Sequence, residues 1–149
     1  MEDVLLKNLH CLIADDEPMI LMGLEEMLHQ LGVKHVTRAR SGAKVLSELQ
    51  NADNPVDCIL CDLHMPDGNG LQVLKAIRTG QIKSRRMDMC FIMVTGMTER
   101  PLIEAAKNLD ANGYLVKPIE PEKLRSAIIR GRQRHFPVAL ERYNMVKVP

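Results

Sequence analysis

Two periodicities alternate five times along this 149-residue chain, and that alternation constrains the fold more than any other feature. Short apolar runs at 9–14, 35–39, 56–61, 89–94 and 113–116 read as strands. Each is followed by apolar residues at helical spacing. From Pro18 these are Ile20, Leu24, Met27, Leu28 and Leu31, closed by Gly32; the next two stretches cover 42–50 and 71–78. A Thr98 cap then opens a helix with Leu102, Ala105, Ala106 and Leu109 on one face, and 121–134 turns Leu124, Ala127 and Ile128 inward. The run at 56–61 is apolar on both faces, as a strand covered on both sides must be. Strict β-α alternation with right-handed crossovers predicts an α/β, doubly wound, five-stranded parallel sheet with helices on both faces. Residues 136–149, interrupted by Pro137, read as either a loose tail or a short added helix.

Composition narrows the function class. At 46% hydrophobic and 26% charged residues, the chain has the make-up of one globular domain and not of a disordered one. Aromatic content of 3%, without Trp, excludes broad stacking surfaces for single-stranded nucleic acid. No apolar run reaches membrane length and the first residues lack a leader pattern, so a cytoplasmic protein without membrane contact is expected. Residues 1–120 carry 13 Lys/Arg against 17 Asp/Glu, whereas 121–149 carry 7 against 2. That basic end is too short for a DNA-binding module, and it reads as a solvated last helix. The basic segment 80–88 reads as a solvated loop, with a partner contact as the alternative. Cys11, Cys58, Cys61 and Cys90 lie in apolar stretches, which suits small buried hydrophobes in a reducing compartment. Cys58 and Cys61 sit three apart on a strand and face opposite sides, a poor arrangement for one zinc or one disulfide.

In a doubly wound sheet the functional crevice lies beyond the carboxyl ends of the strands. The first strand presents Asp15, Asp16 and Glu17 there, the third Asp62, the fourth Thr95, and the fifth Lys117-Pro118. Crowded carboxylates repel and resist ionisation unless a cation neutralises them. A hard divalent ion, Mg²⁺ above all, prefers such oxygens, keeps waters and leaves room for phosphate. Asp62 held beside it is a positioned nucleophile for a phosphoryl group, with Lys117 and the Thr95 hydroxyl sharing the charge on the phosphoryl oxygens.

The segments Ala14-Asp15-Asp16-Glu17, Cys61 to Gly70 (CDLHMPDGNG), Val94-Thr95-Gly96 and Gly113 to Pro118 (GYLVKP) resemble the receiver domain of two-component response regulators. The resemblance implies a receiver over 8–133 with strand order 2-1-3-4-5, as in flavodoxin-like folds, and a tail over 134–149 with no separate output domain. It implies that Asp62 is the phosphoacceptor, and that Asp15, Asp16, Asp62 and the backbone carbonyl of His64 hold Mg²⁺, Asp15 through water. Thr95 and Lys117 match the phosphate-sensing pair, and Tyr114 matches an aromatic that moves inward when the Thr is drawn to the phosphate. His64 and Met97 depart from the common pattern beside the path of the hydrolytic water, which makes them the residues that tune phosphoryl lifetime. The Lys117-Pro118 bond resembles one that is cis in the family.

The implied partners are a sensor histidine kinase or histidine phosphotransfer protein and a downstream effector, as for a stand-alone, chemotaxis-type bacterial regulator. Such a chain is not an enzyme beyond its own aspartyl phosphorylation and dephosphorylation. The effector is expected on the face of the fourth helix, fifth strand and last helix, with Arg125, Arg130, Arg132 and Arg134 there and Tyr114 swinging in from solvent. Two alternatives share the chemistry: a receiver-like scaffold that is never phosphorylated, and a haloacid-dehalogenase-like Mg-dependent phosphatase. The phosphatase would need Asp-x-Asp where this chain has Asp62-Leu63-His64. A flavodoxin would need a Ser/Thr/Gly-rich phosphate loop where it has Asp-Asp-Glu-Pro.

Overall fold

The fold is seen in a computed structural model that describes residues 6–96 and 100–149. The elements run β1 (His10–Ala14), α1 (Pro18–Gln30), β2 (His35–Ala39), α2 (Gly42–Gln50), β3 (Cys58–Asp62) and α3 (Gly70–Arg78). They continue with β4 (Cys90–Thr95), α4 (Arg100–Asn108), β5 (Gly113–Val116), α5 (Pro121–Gln133) and α6 (Leu140–Met145). The strands pair in parallel, in the order β2-β1-β3-β4-β5, so the sheet is doubly wound as the alternation requires.

Every residue of β3 and β4 is buried, since these two strands carry helices on both faces. One core layer lies beneath α2, α3, α4 and α6, with Leu12, Ile59, Leu71, Phe91 and Leu109 at its centre. The other lies beneath α1 and α5, with Ile13, Leu28, Leu60, Ile92 and Ile128. Cys58 belongs to the second layer and Cys61 to the first, the opposite facing that their spacing on a strand implies.

Strand boundaries move by one or two residues from the apolar runs, for identifiable reasons. Before β3, the Asp57 carboxylate accepts from His10 N–H at 2.9 Å and its own N–H donates to His10 O at 2.7 Å. Those bonds hold 56 and 57 out of the strand. Before β4, the Met89 carbonyl is taken by Arg78 Nη1 at 2.9 Å. Both strands run one residue further at their other ends, so Asp62 and Thr95 are themselves the last strand residues. The proposed Thr98 cap lies outside the described residues.

Residues 134–149 are not loose. Tyr143 of α6 is fully buried, and Val146 and Val148 pack on the same layer. Lys75 Nζ donates to Val146 O at 2.6 Å and Asn69 Nδ2 to Pro149 O at 2.9 Å, so the segment runs along α3. Its anchor is a charged hub. Arg78, 0% exposed, donates to the carbonyls of Leu109, Met87, Met89 and Asp110 and to Asn112 Oδ1, all at 2.7–2.9 Å. Asp110 accepts from Tyr143 Oη at 2.6 Å, from Arg134 at 3.1 Å and from Arg142.

The basic segment 80–88 is also structural: Arg85 donates to Leu49 O at 2.8 Å and Asn51 O at 2.9 Å, pinning the segment to the end of α2.

Candidate functional site

Four strand ends converge at the carboxyl edge of the sheet. Asp15 and Asp16 follow β1, where Asp15 N–H still donates to Ala39 O of β2 at 3.1 Å. The Asp15 carboxylate turns back to accept from Glu17 N–H at 2.9 Å, fixing its rotamer at the start of α1. Asp62 closes β3 and Thr95 closes β4; both are buried. Lys117 follows β5, held by its backbone N–H to Thr95 O at 2.9 Å, and the Lys117-Pro118 peptide is cis.

One ligand oxygen each from Asp15, Asp16 and Asp62 lie within 4.8 Å of one another. Lys117 Nζ reaches Asp15 Oδ2 at 2.6 Å and Asp62 Oδ2 at 3.2 Å. Burial lifts the Asp62 carboxyl above its usual range; the Lys117 ammonium opposes this, and the Asp15 charge adds to it. Burial acts against the charge on Lys117, yet its bonds to Asp15 and Asp62 carry its pKa upward. The buried Asp15 and Asp62 thus share the Lys117 ammonium, and the exposed Asp16 adds a third carboxylate beside them. A donor set of hard oxygens with negative charge left over fits a divalent cation such as Mg²⁺.

The loop from β3 to α3 is shaped by close backbone approach. Asp67 and Gly68 take positive φ of 52° and 106°, and their carbonyls accept from Ala43 N–H at 2.8 Å and Gly42 N–H at 3.0 Å. A Cβ on Gly42 would stand 2.2 Å from Gly68 O, and one on Gly70 would stand 2.5 Å from Asp62 O. The loop is therefore clasped to the N-terminus of α2 on one side and seated on Asp62 on the other. Asn69 then closes a capping box with Gln72 and starts α3. The His64 N–H donates to the Asp62 carboxylate and partly offsets the upward push of burial, so His64 stands beside Asp62 by its backbone.

Tyr114 lies opposite Met93, two positions before the Val116 that pairs with Thr95, which puts Tyr114 and Thr95 on one face of adjacent strands. Its ring is half-buried and not in solvent: the hydroxyl lies 3.4 Å from Ile103 O of α4, and burial raises its pKa to about 12. The arginines divide. Arg130 lines the groove between β5 and α5, whereas Arg132 turns to Asp57, at 3.7 Å, and Arg134 to Asp110. Arg132 and Arg134 thus leave the expected docking face for the opposite end of the sheet. Met97 lies outside the described residues.

Sequence reasoning named every carboxylate of this cluster, and Thr95 and Lys117. It passed over Gly42, whose partner is 26 positions away, and Arg40, which donates to Asp16 O at 3.2 Å. Neither has a local signal: each is read only from what the fold sets opposite it.

Known proteins agree with this geometry. The family model described as "Response regulator receiver domain" matches residues 11–129. The probable chemotaxis protein CheY of Rhizobium etli is 32% identical over 125 residues, covering 82% of this chain and 91% of that protein. The TorCAD operon regulator TorR of Escherichia coli O157:H7 is 32% identical over 133 residues, but the chain spans only 53% of its length. A solved CheY-like receiver from Methanospirillum hungatei superposes with a TM-score of 0.69 at 26% identity, covering 85% of this chain and 98% of that one. Neither the phosphatase nor the flavodoxin alternative is favoured by these matches.

Proposed function

The chain belongs to the response regulator receiver family, and on that premise we propose that Asp62 accepts a phosphoryl group from a histidine kinase or histidine phosphotransfer protein in a Mg²⁺-dependent reaction. The supporting observation is the convergence at the strand ends of Asp15, Asp16 and Asp62, one oxygen of each within 4.8 Å of the others, with Lys117 bonded to Asp15 and Asp62.

Asp15, Asp16, Asp62 and the His64 carbonyl would hold the ion, which when bound neutralises the acids and draws charge from the phosphoryl oxygens. Lys117 holds Asp62 as a carboxylate through its 3.2 Å bond, so a nucleophilic oxygen is presented despite burial. That oxygen attacks phosphorus as the P–N bond to the donor imidazole breaks, and the imidazole keeps the electron pair. Lys117 and the Thr95 hydroxyl then bind the new phosphoryl oxygens. Water later cleaves the acyl phosphate, and the side chains of His64 and Met97 are the ones proposed to tune how fast it does so. The protein acts as a phosphorylated signal and not as a turnover enzyme.

Drawing Thr95 toward the phosphate opens space beneath α4, and Tyr114, already bonded to Ile103, moves deeper into it. The surface that changes is α4, β5 and α5, where Val116 is exposed and Lys123 and Arg130 flank the groove. An effector docks there. Residues 8–133 form the receiver and 134–149 an appended segment. Among the described residues no helix is long and apolar enough to cross a membrane, in keeping with a cytoplasmic role.

The test is labelling by a small acyl phosphate with and without Mg²⁺. Wild type is labelled only with the ion, and the label maps to Asp62; Asp62→Asn takes none. Label on Asp15 or Asp16 of the wild type overturns the assignment.

A further inference from the structure

At the end of the sheet away from Asp62, three thiols form a row. Cys11, Cys58 and Cys90 stand opposite one another in register across β1, β3 and β4, all in the layer beneath α1 and α5. All are reduced, and Cys58 Sγ lies 3.4 Å from Cys90 Sγ. Registered neighbours on adjacent strands are about 4.8 Å apart at Cα, inside the ~4.4–6.8 Å window that a disulfide accepts. Closing the bond needs a side-chain adjustment and no movement of a strand.

One of the two borders open space. Cys90, 7% exposed, lines a cavity of about 470 Å³ with Asp57, Asn112, Arg132, Arg134 and His135, whereas Cys58 and Cys61 are fully buried. Gly131 of α5 leaves the approach open, since a Cβ there would stand 3.2 Å from Cys90 Sγ. The hydrogen bond from Cys58 lowers the Cys90 pKa, burial opposes it, and the Arg132 and Arg78 charges lower it further. Its bond to Cys90 and burial push the Cys58 thiol well up, and burial pushes Cys11 up to about 12. The roles are therefore unequal: one thiol borders a cavity with cations nearby, the other is its fully buried neighbour.

We propose that Cys90 and Cys58 form a hydroperoxide-sensitive dithiol, with Cys90 the reacting and Cys58 the resolving cysteine. The Cys90 thiolate sulfur attacks one peroxide oxygen and the O–O bond breaks. The leaving hydroxide takes up a proton as water, and Cys90 becomes a sulfenic acid. The Cys58 sulfur then attacks the Cys90 sulfur, the S–S bond forms, the S–O bond breaks, and the departing hydroxide takes the Cys58 proton as a second water. Two thiols are oxidised by two electrons and one peroxide is reduced to two waters. The product staples β3 to β4. A reducing compartment holds the dithiol open until peroxide rises, so in its absence both cysteines are small buried hydrophobes.

The test treats the full chain with hydrogen peroxide under native conditions, alkylates the remaining thiols, and maps peptides without reduction. Free thiols fall from the four present to two, the linked peptides are those of Cys58 and Cys90, and dithiothreitol restores all four. In Cys58→Ser the reaction stops at Cys90, where dimedone captures the sulfenic acid; Cys61→Ser behaves as wild type. The wild-type map needs no variant, so a poorly folded mutant does not decide the outcome. Thiols that resist peroxide until the chain is denatured, a bridge that includes Cys11 or Cys61, or a dimedone adduct elsewhere than Cys90 each overturn it.

Discussion

Two clusters of buried charge stand at opposite ends of one sheet, and they are solved in opposite ways. At the carboxyl ends of the strands, Asp15 and Asp62 share the Lys117 ammonium, Asp16 adds a third carboxylate at the exposed edge, and burial raises the Asp62 pKa. At the other end, each of the five N–H donors of Arg78 has an acceptor, and Asp110 takes bonds from Tyr143, Arg134 and Arg142. Burial lowers the Arg78 pKa only to about 10, so it stays charged. A closed cluster stabilises a fold and has nothing left to offer a ligand. An open one has charge to spare, and a ligand completes it.

That contrast can be broken or sharpened by mutation. The largest expected effect is Arg78→Met, which takes the guanidinium from four carbonyls and from Asn112 Oδ1, the last keeping its bond from Phe91 N–H; a loss of about 3–5 kcal/mol is expected in urea unfolding. Near-normal stability would mean the hub is decoration. Next comes Asp16→Asn, which should weaken Mg²⁺ binding by roughly tenfold or more, about 1.4 kcal/mol, in calorimetric titration without lowering stability. An unchanged isotherm would move the ion away from this cluster.

A smaller effect is expected for Tyr143→Phe, about 1 kcal/mol, because one bond to Asp110 is lost while the ring still packs. Thermal unfolding read at the hub, and unchanged Mg²⁺ affinity, would keep the two clusters separate. The smallest effect concerns pH. Because the folded Asp62 pKa is raised, its ionisation costs stability as pH climbs from the usual carboxylate range through the folded value. Without metal, Asp62→Asn should therefore match wild type in acid and melt higher at neutral pH, and Mg²⁺ should shrink the gap. Equal melting curves at every pH would show that Lys117 alone balances the acid.

The two clusters also differ in how far the chain announces them. Asp15, Asp62, Thr95 and Lys117 are legible because each ends or follows a short apolar run, and strand ends in such a sheet meet at one edge. Arg78 is not, since a basic residue in the last turn of a helix ordinarily faces water. Its acceptors are mostly carbonyls, which every residue owns, from segments that meet only in the fold. Tyr143 is equally silent in Leu-Glu-Arg-Tyr-Asn-Met, so the choice between a loose tail and a docked helix could not be made from spacing. Arg132 and Arg134 misled for the same reason: helical position was visible, but not the acids at the far end of the sheet.

The clasp between Gly42 and Gly68 gives the acceptor site a mechanical handedness. On the α2 side the loop is bolted by two backbone bonds, in a space that would not admit even a methyl group. That side is an abutment. Under the proposed phosphorylation of Asp62, the new group would meet a loop already held on the α2 side, and the displacement would be directed toward β4 and β5. The side held firm is thus set by two residues that have no side chains at all.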